Sequence, residues 1–157
     1  MPSADVRTDI LRHLVATIAY RATVALRGFP DDASERVLVA QARTPVALLA
    51  HLADLMQWSA LIVRGEGRPR RAPEAPWAAT AARFYAGLEE LDAALAAGAS
   101  PTLDVDALLH GPMADALTHV GQLLLLRRLA GAPAQPQRYL SADVRTGLVG
   151  PEQPGVV

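Results

Sequence analysis

Apolar residues recur along this chain at intervals of three and four, the period of helices buried along one side. From Asp5 to Arg27 the series Val6, Ile10, Leu14, Ile18, Ala22 and Ala25 predicts a first helix over 5–27, closed by Gly28 and Pro30. Thr44 and Pro45 are a start signal, an N-cap hydroxyl followed by proline in the first turn. Behind them Val46, Leu48, Leu49, Leu52, Leu55, Met56, Ile62 and Val63 carry a second helix over 45–64. A third, over 76–97, has a seam of Trp77, Ala81, Phe84, Leu88, Leu91 and Leu95, spaced alternately four and three apart, with Arg83, Glu89, Glu90 and Asp92 on its other face. Pro112 opens a fourth helix over 112–130, which Gly131 and Pro133 stop.

The stretches between are turn-rich. Asp31 or Asp32 can cap a short helix ending near Ala40, and the linker Gly65 to Ala75 is rich in glycine, proline and arginine. Its Arg68, Arg70 and Arg71 read as a solvated surface rather than an anion site. In the tail, 131–157, Ser141 can cap one turn to Thr146, and Tyr139, Leu140, Val144, Leu148 and Val149 are apolar enough to pack on the helices. Four helices without strand signals predict an all-α four-helix bundle formed as one domain over 1–157. The eleven residues of the linker between helices 2 and 3 span roughly 36 Å when extended, enough to run back along a ~30 Å helix, so a crossover connection is permitted.

Composition narrows the chemistry. A formal charge of −1 leaves no global basic field for phosphate backbones, so nucleic acid is excluded as a partner. There is no cysteine, hence no disulfide framework and no thiolate nucleophile. All fifteen basic residues are arginine, which removes lysine nucleophiles and Schiff bases. The start lacks a basic segment followed by an apolar one, and no uninterrupted apolar run approaches the ~18 residues of a membrane span. The expectation is a cytoplasmic protein without a membrane partner.

Asp115, His119 and Gln122 on the fourth helix fall within roughly 60° of one another and reach one small volume. With His51, at the edge of the apolar arc of helix 2, they bring two imidazoles and a carboxylate from two helices. That is a ligand set for open, catalytic divalent metal sites and is compatible with zinc, nickel or iron(II). The same residues would also serve as the wet side of an amphipathic helix, since Met113, Leu117, Val120 and Leu124 lie opposite. Such a face usually carries more charge than Asp115 alone, so the inward site is the better reading. His110 reads as a loop residue, and His13 with Tyr20 as a packed or half-exposed pair.

RTPVALLAHLADLMQW at Arg43 to Trp58 and GPMADALTHVGQLLLLRRLAG at Gly111 to Gly131 resemble the DinB superfamily, the DinB/YfiT-like bundles. The tail YLSADVRTGLVGPEQP resembles the ending of one uncharacterised branch. The resemblance implies helices running up-down-down-up and a metal held by His51 and His119, with Asp115 where many members have histidine. It further implies a metal-dependent transferase or isomerase that activates a low-molecular-weight thiol such as bacillithiol or mycothiol for a small-molecule substrate. Gln122, Arg127 or Arg128 would then orient or neutralise that substrate. A hydrolase using metal-activated water is the neighbouring possibility, and a non-catalytic small-molecule-binding or homodimeric scaffold bundle is the alternative. Homodimers are common among relatives.

Overall fold

The computed structural model describes residues 3–157, with side chains from Val6 onward. Its elements are α1 (Ser3–Leu26), α2 (Pro45–Arg64), α3 (Trp77–Ala97), α4 (Val105–Leu108), a π turn over Leu109–Met113, and α5 (Ala114–Leu129). Two 3-10 turns, Asp31–Ala33 and Tyr139–Ser141, complete it; among the described residues there is no strand. The chain is an all-α bundle, as the periodicity predicts.

Local signals account for most boundaries. Thr44 Oγ1 accepts from Ala47 N at 3.3 Å while Pro45 occupies the first turn of α2. Gly65 closes that helix at φ 74°, a left-handed conformation in which a Cβ is strained. The fourth predicted helix differs. It begins at Val105, seven residues early, where Asp104 Oδ1 accepts from Ala107 N, and it widens into the π turn with non-helical backbone at Gly111. Proline suits a helix start and also suits a kink, because either way its missing N–H costs no regular hydrogen bond. Here Pro112 sits in the kink.

Around the bundle the neighbours are α1 with α3, α3 with α2, α2 with α5, and α5 with α1. Arg83 Nη2 donates to Ala50 O near the start of α2, and Ser100 N, just past α3, donates to Val63 O near its end. Those two helices therefore run the same way, and the linker carries the chain back along them. Thr23 meets Tyr85 at 2.8 Å and Arg12 grips Asp92 through two bonds of 2.9 Å, which sets α1 against α3 in the opposite sense. Ile18, Leu49, Leu52, Met56, Phe84 and Leu88 fill the centre and are fully buried. The hydrophobic effect over that area is the main stabilising term.

Several expectations change on packing. The inward face of α1 is Leu11, Val15, Ile18 and Ala22, whereas Val6 and Ile10 are exposed. Asp92, read as outward, is buried under Arg12. Asp31 and Asp32 begin a single 3-10 turn ending at Ala33, not a helix to Ala40. In the tail, Ser141 ends the turn Tyr139–Ser141 instead of capping one, and Leu140 is exposed. Val149 and Val156 are buried, and Arg27 holds the tail through Pro151 O at 2.7 Å and Val156 O. By length and composition α2 could cross a membrane, but His51, Asp54 and Gln57 interrupt its apolar residues, and in the bundle it is the core helix, packed against α3 and α5.

The α2–α3 approach is close because residue 87 has no side chain: a Cβ there would stand 3.0 Å from Met56 Cβ and 3.3 Å from Gln57 N. Neither atom is the free end of a flexible chain. Gly87→Ala is therefore expected to lower stability by about 1–3 kcal/mol through overpacking, although alanine is the better helix former. Urea unfolding of the variant checks this, and a raised midpoint would show that the two helices have room to separate.

Candidate metal centre

His51 and His119 meet because their helices are in register. From His51 to Arg64 is thirteen residues, about 20 Å of helix rise, and from Val105 to His119 is fourteen residues, broken by the kink at Gly111. Cleft contacts between Leu55, Trp58 and Ile62 of α2 and Gly111, Pro112 and Asp115 place the end of α2 beside the kink. A helix beginning at Pro112 would leave the two imidazoles at different levels; the earlier start at Val105 brings them together.

Asp115 stands between the two rings. His51 Nε2 lies 3.4 Å from its Oδ2 and His119 Nε2 lies 3.3 Å from its Oδ1. The three ligand atoms all fall within 4.8 Å of one another, and the rings stand edge to face with centroids 4.8 Å apart. The predicted trio thus forms one cluster, half-buried in the groove between α2 and α5. Side-chain exposure falls from 45% at Asp115 to 31% at His51 and 17% at His119, so one side opens to solvent.

Gln122 belongs to the same cluster, but through His119. His119 Nδ1–H donates to Gln122 Oε1 at 2.7 Å, and an amide oxygen can only accept. Nδ1 is therefore the donor in that bond, and the ring is held with Nε2 facing Asp115. At 3.3 Å a proton or a cation between Nε2 and the carboxylate oxygen joins the two. A divalent ion with ligand bonds of about 2.0–2.1 Å in tetrahedral array sets neighbouring donors about 3.4 Å apart. The donor types fit such an ion. The 3.3 and 3.4 Å separations end on different oxygens of Asp115, and with one ligand atom from each residue the set lies within 4.8 Å, so the side chains would draw together to hold it.

His51 is favoured in its neutral, ligating form. Burial, then the positive charge of Arg43 and of His119, pulls its pKa below the usual 6.5, against the hydrogen bond and charge of Asp115.

The remaining sequence candidates lie elsewhere. Arg127 is buried at the far end of α5, where its Nη1 donates to Val24 O at 2.6 Å and its Nε to Ala132 O at 2.7 Å. It clamps two helix ends and does not face the metal cluster. Arg128 is exposed, two and a half turns beyond His119. His110 is exposed on the rim of an open cleft of about 700 Å³ that Asp115 also lines, walled by Leu55, Trp58, Ile62 and Pro112. His13 is exposed against Thr146, and Tyr20 is buried and donates to Gln137 Oε1, so these two form no site.

Two features were missing from the sequence reading. Arg43 acts on His51 from just before α2, and a second cleft, about 970 Å³, brings His51 together with the 65–76 linker. The linker arginines were visible as a charged run, but no periodicity outside helices tells which helix face such a run meets, nor that Arg43 stands near His51. No protein-family model, curated protein or solved structure matches the chain.

The His51 shift has a definite sign. Its folded pKa is lowered, so as pH falls the unfolded chain takes up the proton first; the stability is complete above the unfolded value and is lost as pH falls toward the folded one. In the metal-free protein, kept in chelator, the urea midpoint is expected to fall between about pH 7.5 and 5.5. His51→Gln should flatten that slope. An unchanged slope in the variant would assign the effect to other groups.

Proposed function

We propose that this chain is a metal-dependent enzyme of the DinB-like kind, acting on a small electrophilic substrate with a low-molecular-weight thiol as nucleophile. One observation carries the proposal: His51, Asp115 and His119 converge, with Nε2 of His119 directed toward Asp115 while its Nδ1 is held by Gln122. The parallel run of α2 and α3, the opposed run of α1 and α3, and the resemblance over Arg43 to Trp58 and Gly111 to Gly131 support it further. With no cysteine of its own, the chain would take the thiol of this reaction from outside.

In this reading His51, Asp115 and His119 would hold a zinc, nickel or iron(II) ion, and Asp115 would offset part of its charge. The chemistry supplied at such a centre is Lewis acidity, which lowers the pKa of a coordinated thiol, or of water if the enzyme is a hydrolase. Gln122 keeps the Nδ1 proton of His119 in place and thereby fixes which nitrogen ligates. The apolar walls Leu55, Trp58 and Ile62 line one flank and suit the carbon skeleton of the substrate. The alternative, a non-catalytic homodimeric scaffold, is favoured by Leu125 and Leu129, exposed one turn apart on α5.

Metal content separates the two readings. Protein purified without a histidine tag is expected to carry close to one divalent ion per chain, and His119→Ala to lose it with its helical circular dichroism intact. Gln122→Leu should weaken metal affinity by about 10–100-fold. Turnover in a screen of thiols against electrophiles should vanish in His119→Ala. A variant that keeps full metal content, or a wild type that takes up none of the candidate ions on dialysis, would remove the metal reading and leave the scaffold.

A further inference from the structure

The second cleft runs from His51 across the start of α2 to the linker that returns along α2 and α3. Arg43, Arg70, Arg71 and Arg83 all line it. Arg83 is already committed, with Nη1 bonded to Asp54 Oδ1 at 2.5 Å and Nη2 to Ala50 O at 3.1 Å. Arg68 of the same linker lies over the Trp58 ring at 4.4 Å and leaves the cleft to its neighbours. Arg43, Arg70 and Arg71 make no ion pair among the described residues, and they outnumber Glu35 and Glu74, the two free carboxylates on the same walls.

Arg43, Arg70 and Arg71 are solvent-exposed on the walls of this concavity, and an unpaired fork of N–H donors is matched by a planar or tetrahedral oxyanion. The linker that presents two of them is stiffened by Pro69, Pro73 and Pro76, each with its φ fixed by the ring. Arg43 reaches the cleft from another segment, immediately before α2, on the side where His51 forms the wall. The cation cluster is therefore built from two separate stretches of chain and adjoins the metal-ligating face.

We propose that this cleft is the subsite for an anionic group, a carboxylate or phosphate, of the small molecule on which the His51–Asp115–His119 centre acts. The assignment deepens the proposed function and rests on it for the identity of the bound molecule as a substrate. Binding of the anionic group itself needs no metal. Substrate specificity then has two parts, an apolar flank beside Asp115 and an oxyanion anchor beside His51, with the reacting atom between them.

The test uses the full-length protein in chelator, titrated by calorimetry with inorganic phosphate and, separately, with succinate. Saturable binding of at least one is expected, and the preferred probe tells carboxylate from phosphate. Affinity should drop at least about tenfold in Arg43→Ala and in the Arg70→Ala/Arg71→Ala double variant, each of which removes charge-assisted hydrogen bonds. It should hold in Arg145→Ala, which removes a tail arginine paired with Asp143 outside the cleft. Circular dichroism checks that each variant is folded. No saturable binding of either probe up to about 10 mM, or equal affinity in all variants, overturns the subsite. Because these titrations are metal-free, anion binding without metal uptake would sink the enzyme reading alone, and metal uptake without anion binding would sink the subsite alone.

Discussion

The constraint on which this structure depends is the register between α2 and the kinked element from Val105 to Leu129. The centre draws His51 from one helix and Asp115 and His119 from the other, so a slip of one turn, about 5.4 Å, would separate the ligands. What fixes the register is not at the centre. Ser100 is tied to Val63 O, and the residues of the kink pack beside Trp58 and Ile62, so the end of α2 meets the start of the Val105 element. α4 and the π turn precede α5 and supply the residues that run from the end of α2 toward the level of His51.

The polar groups of the bundle divide into those that bind its parts together and those left free to act. Arg12 with Asp92, Arg83 with Asp54, Thr23 with Tyr85, and Arg127 with the carbonyls of Val24 and Ala132 all join one segment to another. Each satisfies a group that would be costly to bury unpaired. The cluster at His51, Asp115 and His119 is different in kind. There two imidazoles flank one half-buried carboxylate, with His51 Nε2 and His119 Nε2 both facing Asp115 and Gln122 bonded to the other nitrogen of His119. That donor set, gathered between two helices, is what the proposed metal reading rests on.

The two clefts on either side give the centre its asymmetry. One is walled by Leu55, Trp58 and Ile62, the other by arginines brought from Arg43 and from the linker. A ligand spanning both would present an apolar part and an anionic part to the same three side chains. In the proposed reading the linker both returns the chain along α2 and α3 and presents Arg70 and Arg71 to the anionic part of that ligand.

Periodicity, caps and composition by themselves determined the all-α class, the extents of α2 and α3, and the trio His51, Asp115 and His119. These follow from local rules: helical spacing puts i and i+4 on one face, and Thr44, Pro45 and Gly65 act within a turn of where they stand. Tertiary structure decided the rest. Pro112 was compatible with a start and with a kink, and only the packing of its neighbours against α2 selected the kink. Arg127 and Asp92 carry charges that a pattern places outside, yet each is buried because a partner distant in sequence, Val24 or Arg12, offers compensation. Gln122 looked like a group for the substrate and became a partner of His119, three residues away, once the rotamer was fixed by its surroundings. The arginine cleft lay beyond any local rule, because its walls come from segments that meet only when the chain has folded.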